Sequence, residues 1–508
     1  MTQRPGAEWR RGLRPVARGG RTRQRGRLIV RGTILAAAAC VVAACTGGGV
    51  AASSASGSAT TAPATTGTTT APATTGTPAR HPAAAWPQFG QNAARTGIAD
   101  GLPAAGALRT AWTAGLDGAV YGQPLVVGGD VIAATENDTV YALSRATGKT
   151  VWHTHVGTPV PRSALHGCGD IFPLGITGTP VYDESNGLVY AVAETTGYQH
   201  VLFGLSVTTG KVAVKRDLDI STTANQPAWN QQRPALALDD GRVYAAFGGL
   251  AGDCGPYIGG VVGVDVNGKG SLVSWHTPTT REGAVWGTGG PVAGPDGELW
   301  VDTGNGAAGP GDPYDGSDSV DFLSPALHRL QYFAPATWAA DNASDLDLGS
   351  TQPVRASGDT TFVVGKRGLG YLLSTTRLGG IGGQLASAPI CKAFGGTAVS
   401  GSTVYEPCSS GGLAAIYVSA AKKEIRVLWH GPADGNGSPV VGGGAVWVTA
   451  YDGSGGAPTT LYELDPATGA VRHQITIDAG LPHFSSLSLG GSTAYVNTLD
   501  GVTAIDGA

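Results

Sequence analysis

The 508 residues include 81 Gly and 31 Pro, with 42% hydrophobic, 14% charged and 7% aromatic residues. Soluble domains average about 7% Gly and about 25% charged residues, so this composition excludes coiled coils and long amphipathic helices while leaving ample apolar residues for a large core. The net charge of −4 conceals an asymmetry: ten arginines and one acid, Glu8, precede Gly32, and removing the first 44 residues leaves 23 basic against 36 acidic residues, a net −13. A chain that acidic is repelled by phosphate backbones, which argues against nucleic acid as a partner.

The arginines from Arg4 to Arg31 form a basic leader to the apolar run Thr33–Ala44. Twelve residues are too few to span a bilayer but suit the core of an export signal. The run ends in Val42-Ala43-Ala44-Cys45, which resembles the bacterial lipobox, with Cys45 as the lipidated residue; an ordinary secretory cut is the alternative. Residues 1–44 are therefore expected to be a removed signal, and the mature chain to sit on the outer face of the cell membrane or to be secreted. Residues 45–85 repeat Thr, Ala, Pro and Gly without large apolar side chains. Such a stretch cannot offset its ordering entropy and is expected to act as an extended tether.

From Trp86 onward, short β-branched runs are separated by Gly, Asp and Asn. Residues 123–156 read as four strands, "PLVV", "DVIAAT", "TVYALS" and "VWHTHV", joined by "GG", "END" and "ATGK". The unit recurs with Pro124, Pro180, Pro234, Pro291, Pro353 and Pro439 near the start of the first strand, and eight copies can be counted. Four-stranded units of this period predict an all-β, eight-bladed β-propeller with antiparallel blades over residues 86–508. The eighth copy stops after three strands. The run Ala107–Leu116, with Trp112 where other units carry their terminal Trp, is expected to supply the fourth and close the ring.

Beyond Cys45 the folded part holds Cys168, Cys254, Cys391 and Cys408. An even number in an exported chain points to two disulfides. Cys391 and Cys408 lie close enough to pair within one unit, and Cys168 with Cys254 would then staple neighbouring blades. No CxxCH haem motif occurs.

The segments "VYALSRATGKTVW" (140–152), "YELDPATGAV" (462–471) and "WPQFGQNAARTG" (86–97) resemble the pyrroloquinoline-quinone (PQQ) repeat propellers. In that pattern Thr-Gly turns between the third and fourth strands, and the Trp docks on the next blade. Residues 283–306 and 345–375 are similar to quinoprotein alcohol dehydrogenases, particularly the polyvinyl-alcohol-oxidising branch. The resemblance implies Trp286 as the floor on which PQQ stacks and Lys366 as its cation. It further implies Asn305 as a calcium ligand and Asp345, or Asp341, as the general base. A planar quinone suits an aromatic floor, calcium takes oxygen ligands, and a carboxylate removes the alcohol proton as hydride leaves.

The departures are specific. Glu194 stands one residue out of register with the family's ligand glutamate. The adjacent-cysteine disulfide over the quinone is missing, and "GAAGPG" replaces the "PWN" that follows the calcium Asn. Trp286 and Trp300 can equally be blade-packing indoles, Asn305 an ordinary turn residue, and Asp312, Asp315, Asp318 and Asp321 a solvated loop rather than a calcium site. His153, His155 and His166 have no metal-ligand spacing. The expectation is a monomeric, lipid-anchored envelope propeller that binds a protein or glycan without catalysis, similar to the propeller lipoproteins of outer-membrane assembly. The alternative is a PQQ- and calcium-dependent dehydrogenase of alcohols or sugars.

Overall fold

Short alternating runs punctuated by turn residues build eight antiparallel sheets, each with a four-stranded core. The computed structural model describes residues 85–451 and 455–507; the expected signal segment, Cys45 and the expected tether before Ala85 lie outside the described residues. The first blade comprises Leu125–Val127, Asp130–Thr135, Thr139–Ser144 and Thr150–His155, and the same order repeats through blade seven. Blade eight combines Leu487–Gly490, Thr493–Thr498 and Gly501–Asp506 with Arg109–Gly115, which pairs antiparallel with Gly501–Asp506. Among the described residues no helix is long and apolar enough to cross a membrane.

Both faces of each sheet are apolar because each packs on a neighbouring blade. Val189, Ala191 and Ala193 of blade two meet Ile132 and Ala134 of blade one, whereas Tyr190 and Val192 meet Val243 and Phe247 of blade three. The outer-strand indoles lock neighbouring blades together. Trp112, Trp152 and Trp429 donate their Nε1–H to the carbonyls of Arg145, Val207 and Pro466 in the next blade. Their rings lie on Gly148, Gly210 and Gly469, where any Cβ would strike the indole. Those glycines also have φ of 69°, 70° and 72°, so the Thr-Gly turn serves chain reversal and blade docking together. Gly469→Ala should destabilise the ring by roughly 1–3 kcal/mol; an unchanged melting temperature would contradict this role.

The first strands of successive blades approach one another around the axis, leaving their inner edges to be covered. Residues 86–99 cover them. Val126, Tyr182, Ala293, Val399 and Val441, from five blades, donate their N–H groups to carbonyls of Trp86, Pro87, Ala93, Thr96 and Gly97. Ile98–Ala99 then adds a parallel strand to blade seven. Arg95 is fully buried and gives hydrogen bonds to the carbonyls of Phe89 and Leu236 and to Gln88 Oε1. The motif legible at residues 86–97 is thus an axial plug.

Two disulfides form, Cys168–Cys254 and Cys391–Cys408. The second joins the connection leaving blade five to the end of a blade-six strand, so it links two blades instead of lying inside one unit.

Candidate active site at the mouth of the ring

Four connections on one face of the ring bring the motif residues together. Lys366, just after strand Thr360–Val364, places its Nζ 2.6 Å from Asp345 Oδ1 and 2.7 Å from Asp347 Oδ2. The same ammonium lies 5.3 Å from the centre of the Trp286 ring. Asn305 follows the blade-four strand Leu299–Asp302, and its N–H donates to Asp347 Oδ1 at 2.8 Å. Gly304 between them is obligatory on steric grounds, because a Cβ would meet the Asp347 carboxylate at 2.9 Å and Trp286 Nε1 at 3.3 Å. Trp286, Asn305, Asp345 and Lys366 therefore converge.

Asp341 and Glu194 stand apart from that group. Asp341, in the short helix Trp338–Asn342, accepts from Thr337 Oγ1 at 2.7 Å and pairs with Arg367. Glu194 ends a blade-two strand facing blade three. One oxygen takes the Gln232 N–H and the other lies 3.5 Å from His200 Nε2.

The residue pattern missed Asp347. The side chain of Asp345 is 67% exposed and that of Asp347 only 5%, so the deeper carboxylate of "DLDLGS" is the one that ties Lys366 to Asn305. Burial pushes Asp347 up, opposed by Lys366. Burial also pulls Lys366 down, but Asp347 and Asp345 outweigh it and hold the ammonium above its ordinary value.

The rest of the mouth is aromatic and comes from connections that carry no family motif. Trp286 lies 6.2 Å from Phe394 and 6.1 Å from Phe484, and the two phenyl rings stack 6.0 Å apart. His483 stands edge-on to Phe484 at 5.0 Å and to Tyr121 at 5.2 Å. Phe484 has φ of 60°, a left-handed value that a bulky residue rarely adopts. Lys392 lies over Phe394, and Arg233 over Phe484. Arg233 pairs with Asp170 at 3.2 Å, and burial drives His483 down to about 4, leaving it neutral. Between this roof and Phe89 of the plug the axis holds a cavity of about 10 Å³, scarcely room for one water.

The remaining candidates resolve into structural roles. Trp300 is buried against Phe322 between blades four and five. Asp315 accepts from Thr279, Ser317 and Ala308, Asp312 from Gly309, Asp318 from Leu348, and Asp321 pairs with Arg329. His153 stacks on Tyr141, His155 meets Thr139, and His166 lies against Tyr198 and Trp229.

Set against the needs of a quinone and its metal, the fit is partial. Trp286 and Lys366 suit a flat, anionic ring system. The oxygen ligands do not gather: Glu194 faces Gln232, Asn305 Nδ2 is turned to Glu282 at 3.4 Å, and Asp347 is taken by Asn305 and Lys366. Among the described residues no group of three or more His, Cys, Asp or Glu side chains is arranged to hold a metal ion. The residues do not fit a quinone–metal pair in this arrangement.

The ring of repeated blades finds its counterpart among known proteins. Residues 104–307 match a family model described as outer membrane protein assembly factor BamB. The fold is that of the PQQ-repeat β-propellers. A quinohemoprotein alcohol dehydrogenase of Pseudomonas putida has the fold with a TM-score of 0.66 at 13% identity, over 84% of this chain and 80% of that one. A europium-containing methanol dehydrogenase gives 0.62 at 16% identity, covering 84% and 98%. BamB from Moraxella catarrhalis gives 0.55 at 14%, covering 78% and 99%. No curated protein matches the chain by sequence. At these identities the likeness shows the shared PQQ-repeat architecture and nothing about chemistry.

Proposed function

We propose that this PQQ-repeat propeller is a non-catalytic binding module of the cell envelope, lipid-anchored through Cys45, that contacts a protein or glycan through the aromatic mouth around Trp286, Phe394 and Phe484. One observation carries this reading. Lys366 is paired with both Asp345 and Asp347, and Asp347 also holds the Asn305 N–H, so the polar groups that a quinone and a metal would recruit are satisfied by one another. The two disulfides support a location outside the cytoplasm, and the assembly-factor description of the family model supports a scaffold role. A Cys45→Ser chain is expected in the culture medium, with the parent in the detergent-soluble membrane fraction; equal partitioning of the two would remove the anchor from the proposal.

A second reading, a PQQ- and calcium-dependent dehydrogenase, is favoured by the convergence of Trp286, Lys366, Asn305 and Asp345. Adding PQQ and Ca²⁺ to purified protein separates the two. The binding reading expects no bound quinone absorbance, no melting shift attributable to PQQ and no dye reduction with alcohols. Quinone binding at micromolar concentration that disappears in Lys366→Ala and Asn305→Ala would establish the dehydrogenase instead.

A further inference from the structure

A groove of about 550 Å³ opens between blades one and two, on the face of the ring opposite the mouth. Successive antiparallel strands start and stop at alternate faces. Lys366 and Asn305 follow the second strands of their blades, whereas Glu184 follows the first strand of blade two and Val207 the third, so the groove lies at the other end. Its apolar walls are Val127 and Val151 of blade one and Tyr182 and Val207 of blade two. Val151 is 53% exposed. The groove also carries two acids, Asp130 and Glu184, and its described walls include no basic side chain.

The chain itself arrives at this place. Ala85 and Pro87 both line the groove, and Trp86 between them is fully buried and exchanges both backbone hydrogen bonds with Val126. The segment joined to Ala85 therefore begins inside the groove. Its sequence, "GTPARHPAA" (76–84), complements the walls in charge and shape. Arg80 and His81 are the only ionisable side chains in residues 46–84, and they fall next to the two acids' groove. Pro78 and Pro82 restrict Thr77 and His81 to extended backbone, which lowers the entropy cost of holding the segment against a wall. We propose that residues 76–84 dock in this groove, with the prolines and alanines on Val127, Val151, Tyr182 and Val207 and Arg80 toward Asp130 and Glu184. The docking stands whether or not Cys45 carries a lipid. With the anchor proposed above, it turns the aromatic mouth away from the membrane.

The test is trypsin cleavage after Arg80 in the purified full chain, read by mass spectrometry of the released amino-terminal fragment. When opening is fast, proteolysis tracks the undocked population, so cleavage about tenfold slower than in a synthetic peptide of residues 74–85 is expected. Asp130→Asn with Glu184→Gln, and separately Val151→Asn, should each return the rate to within about twofold of the peptide's, with the melting temperature unchanged. Val151 is exposed, so its variant decides the matter should the double variant fail to fold. Cleavage of the parent chain at the peptide's rate would overturn the proposal. So would slow cleavage that persists in either folded variant, because nearness to the fold would then shield Arg80 without the groove. Protection lost on dilution would assign the groove to the segment of a second copy and overturn it equally.

Discussion

Thermal stability measured in EDTA is expected to fall as pH rises from 5 to 8, and Glu136→Gln and Asp138→Asn should each remove part of that fall. Both carboxyls lie in the turn between the second and third strands of blade one, 1% and 0% exposed. Glu136 Oε2 accepts the Gly175 N–H at 2.8 Å, while its Oε1 and both Asp138 oxygens are buried without a partner. Burial pushes each acid up to about 8. Glu194 contributes to both of these rises, and Asp117 to that of Asp138. Between the unfolded values near 4 and the folded values near 8, the native state holds protons that the unfolded chain has released, so stability declines with pH across that window. It is level below about 4 and above about 8. At 1.36 kcal/mol per unit, a rise of that size amounts to about 5–6 kcal/mol for one group. Coupling with the neighbouring acids spreads that energy over the cluster. The amide isosteres keep the shape without the charge, and Asn suits the left-handed φ of 54° at position 138. Each variant should therefore match the parent near pH 4.5 and melt higher at pH 8. A parent curve that is flat from pH 5 to 8, or an equal gain at both pH values, would refute the assignment.

Arg95→Ala should cost about 3–5 kcal/mol, the range found when one member of a buried charged hydrogen-bond network is removed. The guanidinium ties Gln88 and Phe89 of the plug to Leu236 of blade three. Its removal leaves those acceptors without a donor in a volume that admits little water. The plug would then release the inner strand edges of several blades at once, so a cooperative loss is expected in place of local fraying. Denaturant unfolding supplies the free energy, and limited proteolysis between residues 85 and 100 supplies the location. Protection equal to the parent, with a midpoint unchanged in denaturant, would show that the plug is held by Trp86 and the backbone bonds alone.

The blades were legible because strands and turns are set by neighbours only a few residues away. "VYALSRATGKTVW" reveals two strands, a left-handed glycine turn and the indole that docks on the next blade, since Gly148 and Trp152 do their work through φ and side-chain volume. Trp286, Lys366 and Asn305 were named on other grounds, the resemblance of residues 283–306 and 345–375 to the motifs of a known family. Asp347 was overlooked beside Asp345 because a sequence records two aspartates two positions apart but not which carboxylate turns inward. Its signal, an acid flanked by leucines in "DLDLGS", becomes meaningful only once Lys366 and Asn305 are known to flank it. The sequence likewise placed Glu194 near a ligand position, yet strand alternation turns it toward blade three and Gln232.

Local order, then, was written in the chain: period, turn chemistry and cysteine parity. The tertiary structure alone decided which groups meet at the axis, because ring closure joins loops separated by tens to hundreds of residues. Phe394 and Phe484 reach Trp286, and Lys366 reaches Asp347. A buried charge or lone pair is satisfied or left wanting by whatever that closure places within about 3 Å of it, and no local pattern encodes that distance.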